Sequence, residues 1–330
     1  MTFKILNPGL YTTIQDLGRT GHQSSGFSQA GVMDYKSAMV ANQLLGNDVN
    51  DAVLELTIQG ATLKVLADTI IAIYGAPMKC TINGGEVPIG FALRVYKGDT
   101  ITFGQTEKGM RTYLAVQGGF DAELVRGSRS THPRSGVGGY EGRPLKHGDI
   151  ITAIGHNIES YYKQVKEPLT FEDNVFHVIE GPEYDLFTEE AKEMFFNEEF
   201  EISNDTDRMG TRLNGFELST TNGSHDILSE PTQLGNVQVP KSGLPIILLN
   251  DRQTAGGYTR IATVALSDLP KLVQMKPGQK IRFKKTTVEE ASERYRHLLK
   301  NIYDGNLIED RHNFTHYRRY TAEKVLKLLE

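Results

Sequence analysis

Residues 250–259 read NDRQTAGGYT and follow directly on the apolar run LPIILLN. Asp251, Arg252, Gln253 and Thr254 thus arrive together at the end of an expected buried strand. A carboxylate so placed could serve as a base or a metal ligand at a cleft. Gln253 and Thr254 could add neutral hydrogen bonds to an amide-like group. Gly256 and Gly257 would let the backbone approach a ligand closely. The plainer alternative is a hairpin turn whose polar side chains cap backbone groups. Four hydrogen-bonding side chains in a row exceed what such a turn needs.

Three further clusters carry similar residue types. TIQDLGRTGHQSSGFSQAGVMD (13–34) mixes Asp16, Arg19, His22 and Asp34 with glycines. It suits a small polar ligand, or a surface loop in which Asp16 and Arg19 pair. VRGSRSTHPRSGVGGYEGRPL (125–145) sets Arg126, Arg129, Arg134 and Arg143 among Gly and Ser. Forked guanidiniums and backbone donors there suit carboxylate or phosphate oxygens; solvated arginines on an exposed loop are the alternative. The glycines fit neither the dinucleotide fingerprint nor the P-loop. NDTDRMGTRLNG (204–215) crowds Asp205, Asp207, Arg208 and Arg212, as an ion-paired turn would.

Other signals fall away. Lys79 follows Met78 as at biotin attachment sites, but Pro77 and Cys80 take the flanking places. His312 and His316 are spaced for one helix face, yet lie in a charged, tyrosine-rich tail. Cys80 has no His near it in sequence, and no Ser sits in a Gly-x-Ser-x-Gly elbow.

The elements that must position these clusters are mostly strands. ATLKVLA, TIIAIYG, TITFG and TYLAVQGG are β-branched or alternating and are bounded by turn residues. One turn recurs in YKGDTITF (96–103), KHGDIITAI (146–154) and KPGQKIRF (276–283); Gly98, Gly148 and Gly278 are expected to adopt a backbone conformation that other residues resist. Helices are expected at 33–47, with Asp34 as N-cap and Gly46 as stop, and at 188–197. A third is expected at 287–305, with Thr287 and Glu290 spaced as a capping box, and a fourth at 321–330. The polar stretch 155–168 marks a boundary. The organisation predicted is a first β domain over 1–168, a second over 169–285 packed closely against it, and a helical extension over 286–330.

Totals bound the function. The 330 residues carry a net charge of −5, which disfavours a nucleic-acid or acidic-membrane partner. The single cysteine allows no internal disulfide and fits a reduced, cytoplasmic setting. The first residues do not read as a signal peptide. The longest apolar runs fall far short of the roughly 20 residues of a membrane helix.

The clusters in order, from TIQDLGRTGHQSSG, MDYKSAMVANQLLGN and LELTIQGATL through YLAVQGGF, GSRST, GGYEGRPLKHGD and DRMGTRLNG to QVPKSGLPIILLNDRQTAGGYTRIATV and LPKLVQMKPGQ, resemble the carboxyltransferase subdomain A/B family over about 3–285. The resemblance implies a mainly β fold of two packed cyclophilin-like barrels. It is strongest to the C-type subunits of bacterial 5-oxoprolinase (the KipA type), which implies ATP-driven opening of 5-oxoproline to L-glutamate. The implied partners are a KipI-type protein, which is the B-type subunit of that enzyme, and its A-type subunit. ATP and Mg²⁺ would serve the complex, with no site fixed in this chain. On this reading Asp251 is the base or metal ligand, and Gln253 and Tyr258 hold the substrate amide. Arg129 and Arg143 clamp anionic groups, Asp34 and Arg19 complete the cleft, and Arg208 is a further candidate. Two alternatives belong to the same resemblance. One is a regulatory protein that sequesters a KipI-type kinase inhibitor. The other is a biotin-dependent carboxyltransferase acting on urea or a related amide, although the chain holds no biotin-carrier or biotin-carboxylase sequence.

Overall fold

Thr69–Gly75 is buried along its whole length, as its unbroken apolar run predicts. Ile71 and Ile73 point into one core, while Ile70, Ala72 and Tyr74 point into another on the opposite face. A strand buried on both faces has no polar side to alternate with. In the computed structural model, which describes residues 1–155, 163–171 and 173–310, this strand lies in a five-stranded antiparallel sheet. The spatial order is Tyr11–Gln15, Val53–Thr57, Arg111–Val116, Thr69–Gly75, Ala92–Val95. A seven-stranded sheet faces it across the first core. Its order is Phe120–Asp121, Ile150–Ala153, Phe3–Asn7, Thr62–Val65, Thr100–Thr106, Met78–Ile82, Gly85–Val87. Helix α1 (Tyr35–Gln43) covers the outer face of the five-stranded sheet through Val40, Ala41 and Leu44.

The second domain closes on itself. Val175–Glu180, Lys280–Lys285, Phe200–Ile202, Gly210–Asn214, Ile246–Leu248, Asn236–Val239 and Ala255–Val264 follow one another, and the last pairs back to the first. Closure removes the free edges that an open sheet would leave. Asp226–Pro231 adds one outer strand along Ala255–Val264. Helix α2 (Glu189–Asn197) lays Ala191 and Phe195 against the barrel, and α3 (Leu269–Leu272) leads into the domain joint. The fold is therefore mainly β, as expected, with a closed barrel in the second domain and two facing antiparallel sheets in the first.

The expected local signals are present. Asp34 caps α1 by accepting from Ser37 N at 2.9 Å. Helix α4 (Val288–Tyr303) begins at Thr287, whose hydroxyl accepts from Glu290 N at 3.2 Å. Gly98, Gly148 and Gly278 have φ of 94°, 90° and 84°.

At the joint, Gln274 of the second domain reaches into the first. Its Oε1 accepts from the N–H groups of Met110 (2.9 Å) and Arg111 (2.8 Å). Its Nε2 donates to Asp34 Oδ2 (2.8 Å) and Arg111 O (2.9 Å). Met33 from the first domain packs in the core of the second. The extension does not stand apart: Tyr295 meets the Tyr35 ring edge-on at 6.1 Å, and Ile308–Asp310 pairs with Lys163–Val165. The helix expected at 321–330, and His312 and His316, lie outside the described residues.

Candidate functional site

The polar loop that precedes α1 crosses to the second domain. Gln23 Nε2 donates to the carbonyls of Thr232 (2.7 Å) and Thr254 (2.8 Å), and Ser28 Oγ donates to Arg252 O at 3.0 Å. Asn250 accepts from Ala30 N through its carbonyl (3.0 Å) and donates through Nδ2 to Ala30 O (3.1 Å) and Val32 O (3.0 Å). The first cluster is thereby stitched to the stretch 250–254.

Beneath the loop lies a buried ion network. Arg208 donates to Asp251 through Nε (2.9 Å) and Nη2 (3.0 Å), to Gly31 O at 2.6 Å, and to Glu55. Glu55 stands opposite Tyr113 across the sheet and accepts from its hydroxyl at 2.8 Å. Burial opposes the Arg208 charge, but Asp251 and Glu55 outweigh it and hold the guanidinium protonated. Both Asp251 oxygens are therefore engaged, an arrangement suited to holding Arg208 rather than to free base or metal chemistry. Asp34 is likewise engaged, with Ser37 Oγ at 2.6 Å and Gln274; burial raises its pKa, and these hydrogen bonds work against the rise.

Arg19 is placed by the segment 128–130. Asp16 accepts from Ser128 Oγ (2.6 Å), Arg129 N (2.5 Å), Ser130 Oγ (2.5 Å) and Gly18 N (2.8 Å), which fixes that segment. Arg19 then donates to Val125 O (3.1 Å) and to Ser130 O. Gly138 makes room for it, since a Cβ there would fall 2.2 Å from Arg19 Nη2. Arg19 Nη1 is buried without a partner.

Arg19 shares a cavity of about 130 Å³ with Thr20, Gln23, Phe27, Ser28, Arg252 and Gln253. Arg252 is 7% exposed, and its Nε also lacks a partner. Its Nη1 donates to Leu249 O at 3.3 Å. No carboxylate pairs with it among the described residues, and burial pushes its pKa down to about 10. Burial likewise lowers that of Arg19, against the pull of Asp16 and Asp251. Gln253 Nε2 donates to Gln238 Oε1 at 3.3 Å. Gly256 serves this pair: a Cβ there would lie 2.7 Å from Gln238 Nε2 and 3.3 Å from Gln253 Nε2.

The remaining expected residues do not line this cavity. Arg143 forks onto Asp149 (2.8 and 3.0 Å) and also binds Glu141. Arg129 acts electrostatically on Asp51. Tyr258 sits opposite Asp226 on the outer strand pair and is 36% exposed. Two groups are not singled out by the sequence patterns. Glu55 could have been noticed as a lone acid in the apolar run VLELT. His132 is 6% exposed, with Nδ1 2.9 Å from Ser135 Oγ and Nε2 unpartnered. Burial lowers its pKa, Asp251 raises it, and Arg19 and Arg208 lower it further.

The family model described as carboxyltransferase domain, subdomain A and B, matches residues 25–285. The chain belongs to that family. It is 38% identical over 288 residues to the C subunit of 5-oxoprolinase from Escherichia coli, covering 87% of this chain and 92% of that one. It is 35% identical to the 5-oxoprolinase C subunit from Haemophilus influenzae, with the same coverage. The crystal structure of Kluyveromyces lactis urea carboxylase superposes with a TM-score of 0.85 at 29% identity, over 94% of this chain and 30% of that one. Urea amidolyase of K. lactis gives 0.84 and 29%; the chain spans about a fifth of its length (21%) and 94% of its own. That structural match runs past residue 285 into α4. No helix among the described residues is long and apolar enough to cross a membrane.

Proposed function

We propose that the chain is the C-type subunit of an ATP-dependent 5-oxoprolinase and that the 130 Å³ cavity receives the lactam. The observation that carries this reading is the pair of buried guanidiniums, Arg19 and Arg252, that line one small polar cavity, each with one N–H lacking a partner. The identity to two proteins named as the C subunit of 5-oxoprolinase supports it. Two forked cations suit a carboxylate, and the neutral Gln253 amide beside them suits the lactam N–H and C=O. A site whose donors are otherwise orphaned strongly rejects analogues that lack the matching group.

The donors do not fit Mg²⁺. Asp16 and Asp251 are taken by hydrogen bonds. No group of three His, Cys, Asp or Glu side chains among the described residues is placed to hold a metal. In this proposal ATP and Mg²⁺ belong to the complex assembled with a KipI-type B-type subunit plus an A-type one, where ATP supplies activation of the lactam oxygen. Arg19 and Arg252 orient the substrate carboxylate, Gln253 aligns the lactam, and Asp251 holds Arg208 under the loop.

The test is reconstitution. The purified chain is combined with its A- and B-type partners, and glutamate formed from 5-oxoproline and ATP is measured. Turnover is expected only when all three are present; full turnover without this chain would end the proposal. The similarity to urea carboxylase favours a second reading, carboxyl transfer to an amide. Labelled carboxyl passing from carboxybiotin to urea in the presence of the chain would establish it.

A further inference from the structure

A second cavity, of about 610 Å³, lies between the domains and α4. Its walls are largely apolar, with Met33, Met39, Leu249, Val264, Leu269 and Val273 among them. Helix α4 closes one side with Ala291, Ser292, Tyr295 and Leu299. Thr20, Gln23, Gln29 and Arg252 line both this cavity and the small polar one, so the two adjoin.

Arg252 is the charged residue on this wall, more than nine-tenths buried and with its Nε unpartnered. A guanidinium removed from water without a counter-anion is costly. A cavity of several hundred Å³ with apolar walls and one convergent polar anchor has the make-up of a small-molecule site. The two facts fit one ligand chemistry. An anionic head would satisfy Arg252, and an apolar body would displace water from the space under α4.

We propose that the cavity under α4 binds an amphipathic monoanion, with a carboxylate head on Arg252 and an apolar acyl body along α4. Because Arg252 also faces the small cavity, such a ligand draws the guanidinium away from the 5-oxoproline carboxylate and acts as a competitive brake on that site. This last clause rests on the proposed function; the binding itself does not.

The test is calorimetric titration of the full, purified chain with decanoate, decanol and acetate. Decanoate is expected to bind at one saturable site, with decanol and acetate each at least tenfold weaker, since one lacks the charge and the other the body. Arg252→Gln should weaken decanoate at least tenfold. Ser292→Trp, which fills the cavity from α4 and leaves the small pocket's lining intact, should do the same. Thermal melts of both variants check that they remain folded. No binding of decanoate, equal binding of decanol, or undiminished binding to a folded Ser292→Trp protein each overturns the proposal. Because the readout is binding to the isolated chain, a failure to form glutamate in the reconstituted complex leaves this result standing.

Discussion

Arg208 grips both carboxylate oxygens of Asp251, at 2.9 and 3.0 Å, while its third nitrogen reaches Glu55 of the other domain. One guanidinium thus ties the end of a second-domain strand to the centre of a first-domain sheet. Removing one partner of such a buried network leaves a charge with nothing to answer it. Arg208→Met is expected to cost about 3–5 kcal/mol in urea unfolding. Asp251→Asn keeps one acceptor oxygen and should cost less. If Asp251 were instead the base, Asp251→Asn would abolish turnover in the reconstituted complex while stability held.

Arg252 differs in having no acid beside it among the described residues. Arg252→Gln is therefore expected to leave stability unchanged or raised, because a desolvated charge disappears. Arg19→Gln loses carbonyl contacts as well, so its melting point should fall slightly. Both should raise KM for 5-oxoproline at least about tenfold with a smaller change in kcat, the signature of lost ground-state binding. A fall in kcat at constant KM would place them elsewhere in the reaction.

His132 and His225 are both held below the ordinary imidazole pKa, chiefly by burial. The unfolded chain then binds more protons than the native one, so each contributes stability that is complete above about pH 6.5 and is lost as pH falls toward the lower native value. Urea midpoints should drop between pH 7 and pH 5. His132→Gln should flatten that slope in part, and His132→Gln with His225→Gln should flatten it further. An unchanged slope in the double variant would show that carboxylates set the acid limit instead.

Gln274 fills four hydrogen-bonding positions at the joint, and Gln274→Leu orphans the N–H groups of Met110 and Arg111, while Asp34 Oδ2 keeps its bond from Ser37 Oγ. Each buried orphan costs about 1–3 kcal/mol. The variant should unfold at clearly lower urea, with the melt splitting into two transitions if the domains part before they unfold. A single transition at the parent midpoint would show that the joint is held by packing alone.

Much of the fold was legible because its signals are local. Gly98, Gly148 and Gly278 repeat one turn, Asp34 and Thr287 cap helices, and TIIAIYG has no polar face to show. The site was legible only as a set of loops. Sequence placed Arg19 and Gln253 in promising clusters, yet nothing local distinguishes Arg208, which is consumed by two acids, from Arg252, which has none. That difference depends on Glu55 arriving from a distant strand. His132 was hidden for the same reason, since its burial is created by the loop that Asp16 folds. In sequence the glycines after Gln253 suggest room for a ligand; in the fold Gly256 makes room for the Gln238 and Gln253 amides.

The pairing of Lys163–Val165 with Ile308–Asp310 bears on how the protein is made. The segment between the domains leaves the ribosome early, and its strand partner emerges only after the whole second barrel. Until then Ile308 is missing from the first domain's outer core, and the space beneath α4 has no wall. Synthesis therefore runs to nearly the end of the described chain before this outer core is closed, and a nascent chain stalled in the second barrel would carry that apolar face uncovered.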